Sequence, residues 1–244
     1  METLGIDIGG SGIKAAVVDT SSGEFITERH RIPTPQPCKL PAFQDALKAM
    51  LEHFDWTGPV GVGFPGVVRQ NRTLSAANLD PTVVDIDLGE ILKDFGAFEV
   101  AAINDADAAG LAEMQLGAGK NALGTTLMVT VGTGIGTALF NKGVLVPNME
   151  LGHIEFKGNS AERLVSERAR ETRDLSWKEW GKNFNEFLKY ITFLLQLDLI
   201  ILGGGGVKKR EKFEKHLTVE TPIEYAEFAN RAGILGAALA VNAR

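Results

Sequence analysis

Cysteine is almost missing from this chain: Cys38 is the only one in 244 residues. A single thiol excludes an internal disulfide and any metal site built from several cysteines. No apolar run approaches the roughly 20 residues needed to span a bilayer. No leader-like segment opens the chain, because Met1 is followed within six residues by a strand and a glycine turn. Positive charge is in deficit as well. Twenty-five Lys and Arg against 31 Asp and Glu leave a net charge of −6 and a pI near 5.3. That balance argues against a nucleic acid or an anionic membrane held by global charge, and leaves only a local basic patch for a polyanion. The expectation is a reduced, cytoplasmic globular protein, with 44% hydrophobic residues to build its core.

Glycine is what the chain has in excess. Its 28 glycines exceed the usual level of about 7%, and they gather in short clusters directly after apolar runs. Such places are where a backbone approaches a ligand or another backbone closely.

Residues 4–19, LGIDIGGSGIKAAVVD, read as strand, glycine turn and strand. A segment of the same design, LMVTVGTGIGTALF, recurs at 127–140. A shift of 123 lays Ile8 on Val131, Gly9 on Gly132 and Ala15 on Ala138, which points to a duplicated architecture. Between the two lie a proline-punctuated loop, an amphipathic helix over 43–54, a strand at 60–62, a polar loop around Asn78 and an apolar stretch ending in Asn104-Asp105. An Ala-rich helix over 106–116 follows. Farther on, Ser176 and Glu179 have capping-box spacing ahead of apolar positions 177, 180, 184, 187, 188, 191 and 194, a helical period. Strand 199–202 runs into Gly203–Gly206, and a last Ala-rich helix is expected over about 225–241. Strands alternating with helices make an α/β fold. Two lobes are expected without a Gly/Ser linker.

Several motifs fail on inspection. Gly119-Lys120 lacks the upstream glycine and the Ser/Thr of a phosphate-binding P-loop. Gly61-x-Gly63-x-x-Gly66 matches a dinucleotide fingerprint formally. However, Pro65 and the Gly66-Val67-Val68 that follows read as loop and strand, where that motif needs a helix. The turns Gly9-Gly10-Ser11-Gly12 and Gly132-Thr133-Gly134-Ile135-Gly136 are better candidates, since converging backbone N–H groups plus a hydroxyl suit an anion. Each is equally readable as a hairpin turn with glycine supplying positive φ. Asp7 is an odd choice in a buried strand unless it meets a cation, for which water-bridged Mg²⁺ is the natural partner of a phosphate. Asp105, at a strand end where α/β crevices lie, is readable as a general base or as a helix cap. Glu150, His153 and Glu155 fall within six residues and suit a polyol; as a metal site His153 lacks partners. His30, His53 and His216 read as surface residues, and Cys38 as a spectator. The run Lys208–Lys215 holds five cations in eight residues. It reads either as a solvated helix face or as a guide for a long polyanion.

Taken together, Asp7-Ile-Gly-Gly-Ser-Gly-Ile-Lys14, Asn104-Asp105-Ala106-Asp107, Gly132–Gly136, Glu150-Leu-Gly-His153 and Gly203-Gly-Gly resemble the ROK sugar kinases. That family belongs to the superfamily that also holds actin and the heat-shock chaperones. Within it, residues 32–37 (IPTPQP), 75–78 (SAAN) and 146–153 (VPNMELGH) are similar to the polyphosphate glucokinases.

The resemblance implies a two-lobed ribonuclease H-like fold of the actin-like ATPase type, with a duplicated core and an interlobe cleft. Residues 1–105 with 228–244 would form the small lobe and 106–227 the large one. It implies phosphorylation of glucose, with mannose as a further acceptor, by polyphosphate and also ATP, in a homodimer that binds neither nucleic acid nor membrane. Asp105 would be the base, and Asn78, Asn104, Glu150, His153 and Glu155 the sugar ligands. Gly9, Gly10, Ser11, Lys14, Gly132, Thr133, Gly134 and Gly136 would hold the donor, with Asp7 near Mg²⁺ through water. Gly203, Gly204, Gly205 and Gly206 would line the nucleotide side. The zinc motif of many ROK proteins is replaced here by Ile-Glu-Phe-Lys-Gly after His153, so no zinc is expected. A strictly ATP-dependent glucokinase and a non-catalytic sugar-binding protein are the competing readings. The sugar-responsive repressors of the family need an N-terminal helix-turn-helix, for which Asp7 leaves no room.

Overall fold

In the computed structural model, which describes residues 1–243, the chain opens with strands β1 (Glu2–Gly9) and β2 (Gly12–Asp19). They pair antiparallel from Glu2 opposite Asp19 to Gly9 opposite Gly12. Two short strands, β3 (Glu24–Phe25) and β4 (His30–Ile32), add to the outer side of β2. Helix α1 (Leu40–His53) buries Phe43, Ala46, Leu47, Met50 and Leu51, one apolar face at helical spacing. Strand β5 (Val60–Phe64) then pairs parallel with β1. A small hairpin of β6 (Val68–Arg69) and β7 (Arg72–Thr73) and helix α2 (Leu88–Asp94) lead to β8 (Val100–Asn104), parallel to β5. The sheet order is β3-β2-β1-β5-β8. Every residue of β5 is buried, as expected of a parallel strand covered on both faces. Helix α3 (Asp105–Leu116) starts directly at the end of β8.

The second sheet repeats the plan. Strands β9 (Thr125–Val131) and β10 (Ile135–Asn141) form an antiparallel hairpin, and β11 (Val144–Val146) pairs with β10. After a two-stranded ribbon, β12 (Glu155–Phe156) with β13 (Asn159–Ser160), come the short helices α4 (Glu162–Val165) and α5 (Glu167–Thr172). Helix α6 (Trp177–Leu195) carries the expected capping box between Ser176 and Glu179. Strands β14 (Leu199–Gly203) and β15 (Ile223–Tyr225) complete the order β11-β10-β9-β14-β15. β14 lies parallel to both β9 and β15. Two sheets with the same strand order and sense are the duplicated core that the repeated hairpin foreshadows. The single shift of 123 needs amendment, however. Ile8 faces Ile13 across the first turn, whereas Val131 faces Ile135 across the second. The second turn is one residue shorter, so beyond it the equivalence moves to 122 and Ala138 matches Ala16.

Helix α7 (Ala232–Ala240) closes the chain and is buried at every residue but Gly233. It begins later than expected, because Ile223–Tyr225 is strand β15 and only a 3₁₀ turn, Ala229–Arg231, precedes the α-helix. α7 packs against the first sheet where glycines let backbones meet: a Cβ on Gly5 or Gly61 would collide with the carbonyls of Ile234 or Ala237, and one on Gly236 with that of Ala108. Contacts divide the chain into two units. One is Met1–Ala112 with the segment from Arg231 onward; the other is Glu113–Asn230. The first has its core around Ile6, Ile8, Leu47, Val62 and Phe64. The second has its core around Trp180, Phe184, Phe187 and Phe213, where the rings meet stacked or edge-on at 4.9–6.4 Å. No helix among the described residues is long and apolar enough to cross a membrane.

Candidate active site

In the first unit, the turn between β1 and β2 is tied down from one side. Thr34 Oγ1 donates to the Gly9 carbonyl at 2.5 Å, Gln36 Nε2 to that of Gly10 at 3.1 Å, and an Arg31 guanidinium nitrogen to that of Ser11 at 2.6 Å. None of Gly9, Gly10 and Gly12 has a left-handed backbone, so positive φ is not why they are glycines. Space is the reason: a Cβ on Gly10 would press on Asn78 at 3.2 Å and one on Gly12 on Arg31 at 2.6 Å. Asn78, itself at φ 60°, is thereby brought to the glycine turn.

Asp7 and Lys14 face each other in the β1–β2 register, and Lys14 Nζ donates to Asp7 Oδ2 at 3.1 Å. Gly233 leaves room for that carboxylate, since a Cβ there would lie 2.8 Å from Asp7 Cγ. At the head of α3, Asn104 Oδ1 accepts the N–H groups of Ala106 and Asp107 at 2.8 and 3.1 Å. That is the pattern of a helix N-cap. Asp105 Oδ1 also accepts the Ala106 N–H, at 2.8 Å, and Asp105 is half-buried. Asn104 Nδ2 donates to the Gly66 carbonyl at 3.2 Å. The Gly61–Gly66 segment therefore is a strand and a loop beside Asn104, with no helix opening there.

In the second unit, Thr137 Oγ1 on β10 accepts the Leu151 N–H at 3.1 Å and donates to the Met149 carbonyl. Gly152 is pressed against the Ile135 carbonyl, and these contacts fix the segment that carries Glu150 and His153. His153 sits between two carboxylates: its Nε2 is 4.0 Å from Glu150 and its Nδ1 3.8 Å from Glu162. Glu155 lies exposed on β12, opposite Ser160. Glu162 also reaches the second glycine turn, where a Cβ on Gly134 would lie 2.7 Å from its Oε2. The Gly132 carbonyl accepts the Glu167 N–H at 3.0 Å. Gly204, at φ 85°, and Gly206 lie against Val131 at the end of β9, so the second and third glycine clusters adjoin. Gly204 is the only member of the three clusters that needs a left-handed backbone.

A cavity of about 350 Å³ opens beside Thr133 and is lined by Glu162, Arg163, Ser166, Arg168 and Arg173 among others. Sequence reasoning passed over Arg31, Glu162 and these arginines. The signal for Glu162 was its place at a helix start nine residues after His153; the arginines carried none beyond their charge. The histidines read as ordinary surface residues behave otherwise in one case. His30 and His53 stack at 3.6 Å, and burial, then the charge of His53, lowers the His30 pKa. Cys38 is buried, and burial with the nearby Asp80 charge pushes its thiol pKa up, as suits a spectator.

The fold and the site motifs define a class. The ROK family model matches residues 3–163, and the chain belongs to the ROK family. The polyphosphate glucokinase of Mycobacterium tuberculosis strain H37Rv is 40% identical over 97% of this chain and 90% of its own length. That of Mycobacterium leprae is 40% identical over 98% of this chain and 74% of its own. Among solved structures, the inorganic polyphosphate/ATP-glucomannokinase from Arthrobacter sp. strain KM superposes with a TM-score of 0.91. It is 41% identical and covers 99% of this chain and 98% of its own.

Proposed function

We propose that the protein transfers the terminal phosphoryl group of inorganic polyphosphate to the 6-hydroxyl of glucose, with ATP as a second donor and mannose as a second acceptor. Similarity to polyphosphate glucokinases over nearly the whole chain supports the substrates. The observation that carries the chemistry is the head of α3. There Asn104 caps the helix, and the half-buried carboxylate of Asp105 stands beside it at the end of β8, where the crevices of α/β sheets lie.

In this reading the sugar oxygen attacks the terminal phosphorus as its proton passes to Asp105. A P–O bond to O6 forms, the bridging P–O bond breaks, and the electron pair leaves with a polyphosphate one unit shorter. Asn78, Asn104, Glu150, His153 and Glu155 bind sugar hydroxyls, and Glu162 joins them because it faces His153 at 3.8 Å. Gly9, Gly10, Ser11 and Lys14, with Gly132, Thr133, Gly134 and Gly136, receive the donor phosphates, and backbone N–H groups stabilise the developing charge. Gly203–Gly205 serve the nucleotide when ATP is the donor.

Among the described residues no cluster of three or more His, Cys, Asp or Glu is placed to hold a metal. The lone Asp7 carboxylate beside the glycine turn nevertheless fits Mg²⁺, which keeps several waters and binds chiefly through substrate phosphates. When bound, Mg²⁺ neutralises phosphate charge; Asp7 would hold it through water while Lys14 holds Asp7.

The test is transfer to glucose by the wild-type protein supplied with polyphosphate, with the product's phosphorylated position read by phosphorus NMR. Glucose 6-phosphate is expected. Glucose binding without transfer from polyphosphate or ATP would replace this reading with a non-catalytic sugar-binding protein.

A further inference from the structure

The net charge of −6 is not shared between the units. Residues 113–230 hold fifteen basic and fifteen acidic side chains, so the whole deficit lies in the rest of the chain. Within the neutral unit, cations collect around helix α5. On one side Arg163, Arg168 and Arg173 line the cavity that Thr133 of the second glycine turn also lines. All three are exposed, and none forms an ion pair among the described residues. Toward α6, the Arg170 guanidinium lies 4.4 Å from the centre of the Trp177 ring, with the amino groups of Lys209 and Lys212 at 5.7 and 5.9 Å. Counter-charges are few there: Glu167 takes Lys209 at 3.4 Å and Glu171 takes Arg170 at 3.6 Å. Glu162, the carboxylate in the cavity, is turned to His153.

The basic run read from the sequence is an exposed helical face, and it is not isolated. It folds as a kinked 3₁₀ segment, Gly205–Lys212, that brings two lysines to an arginine on another element. The arrangement is anchored from below. Trp180 Nε1 donates to the Val165 and Ser166 carbonyls at 3.1 and 3.0 Å, which fixes the junction of α4 and α5 on the core.

We propose that this cation-lined surface is a track for the condensed-phosphate chain of the donor. It starts at Thr133, passes Arg163, Arg168 and Arg173, and ends at the Arg170, Lys209 and Lys212 group on Trp177. The assignment rests on the donor reading above and extends it from the reacting phosphate to the chain behind it. Condensed phosphate carries its charge repeatedly along a line. A row of cations on both flanks of a six-residue helix, about 9 Å long, therefore engages more units than a nucleotide's triphosphate offers. Planar guanidinium forks match phosphate oxygens in pairs. A nucleic acid fits less well, because the Trp177 ring that would stack a base already carries cations and packs on Phe213 at 6.2 Å and on Trp180 at 5.7 Å.

The experiment measures equilibrium binding of long-chain polyphosphate, inorganic triphosphate and single-stranded DNA across a salt series, with folding checked by circular dichroism. The variants are R168Q/R173Q and K209Q/K212Q, with K189Q on the exposed face of α6 as control. Each double variant is expected to weaken long-chain binding about tenfold and to flatten its log–log salt dependence by about two. Triphosphate binding should change less than twofold and K189Q should match wild type. Unchanged long-chain affinity in both double variants, or DNA competing as well as polyphosphate, would overturn the track. The donor reading fails separately: it falls if the wild-type protein phosphorylates glucose from ATP but not from long-chain polyphosphate. Wild-type turnover of polyphosphate with unaffected double variants removes the track alone.

Discussion

At the start of α3 the Asn104 side chain holds the backbone N–H groups of Ala106 and Asp107 at 2.8 and 3.1 Å, one residue before the carboxylate of Asp105. Asp105 Oδ1 shares the Ala106 N–H at 2.8 Å, and in the proposed mechanism its carboxylate is the base. Asp105→Asn keeps the shape and loses the base. Turnover should fall by a factor of about 100 or more, with the KM for glucose changed only a few-fold. Steady-state kinetics at saturating donor reads both, and retained turnover would take Asp105 out of the base role.

Glu162 is a proposed sugar ligand that no sequence motif marks. It faces His153 at 3.8 Å and lies against Gly134, whereas Glu155 is exposed on β12. Glu162→Gln should raise the KM for glucose at least tenfold, the size of a lost hydrogen bond to a charged group. Glu155→Gln should raise it less. Equal effects of the two substitutions would contradict the ranking.

The His30–His53 stack makes stability depend on pH. The folded pKa of His30 is lowered, first by burial and then by His53. The unfolded chain therefore binds more protons just below the ordinary His value of ~6.5, and stability falls as pH drops through that region. His30→Gln should flatten the decline. Urea midpoints on either side of pH ~6.5 test it; an unchanged slope would rule His30 out as its source.

Gly236 marks the closest approach of α7 to its neighbours. A Cβ at that position would overlap the Ala108 carbonyl, and neither backbone has a flexible end that can yield. Gly236→Ala should cost about 3 kcal/mol or more of stability, or leave the protein unable to fold. A urea midpoint equal to wild type would show that the helix can shift outward.

Much of the fold was legible because its signals are local. The capping box at Ser176, the apolar period of α6 and the repeated strand–glycine–strand segments all sit in contiguous sequence. The glycine clusters were legible as turns but not in their geometry. Composition and turn chemistry suggest positive φ at Gly9–Gly12 and Gly132–Gly136, yet none of these has it, and at Gly10, Gly12 and Gly134 the missing Cβ admits Asn78, Arg31 and Glu162 from elsewhere in the chain. Side chains that arrive from a distance leave no pattern at the place they reach. The same is true of Arg163, Arg168 and Arg173, whose spacing on two short helices looks like any polar surface until Thr133 is seen beside them. The sequence pattern puts Tyr225 in the last helix, whereas Ile223–Tyr225 is a strand only three residues long. Its strand character comes from pairing with β14, which no window of the sequence contains.

The central claim is that this ROK protein draws phosphate from a polyphosphate chain. It is tested most directly by initial rates of glucose 6-phosphate formation with long-chain polyphosphate and with ATP, at matched glucose and Mg²⁺. Turnover is expected with both donors, with a kcat/KM for polyphosphate at least equal to that for ATP. Turnover with ATP alone would contradict it.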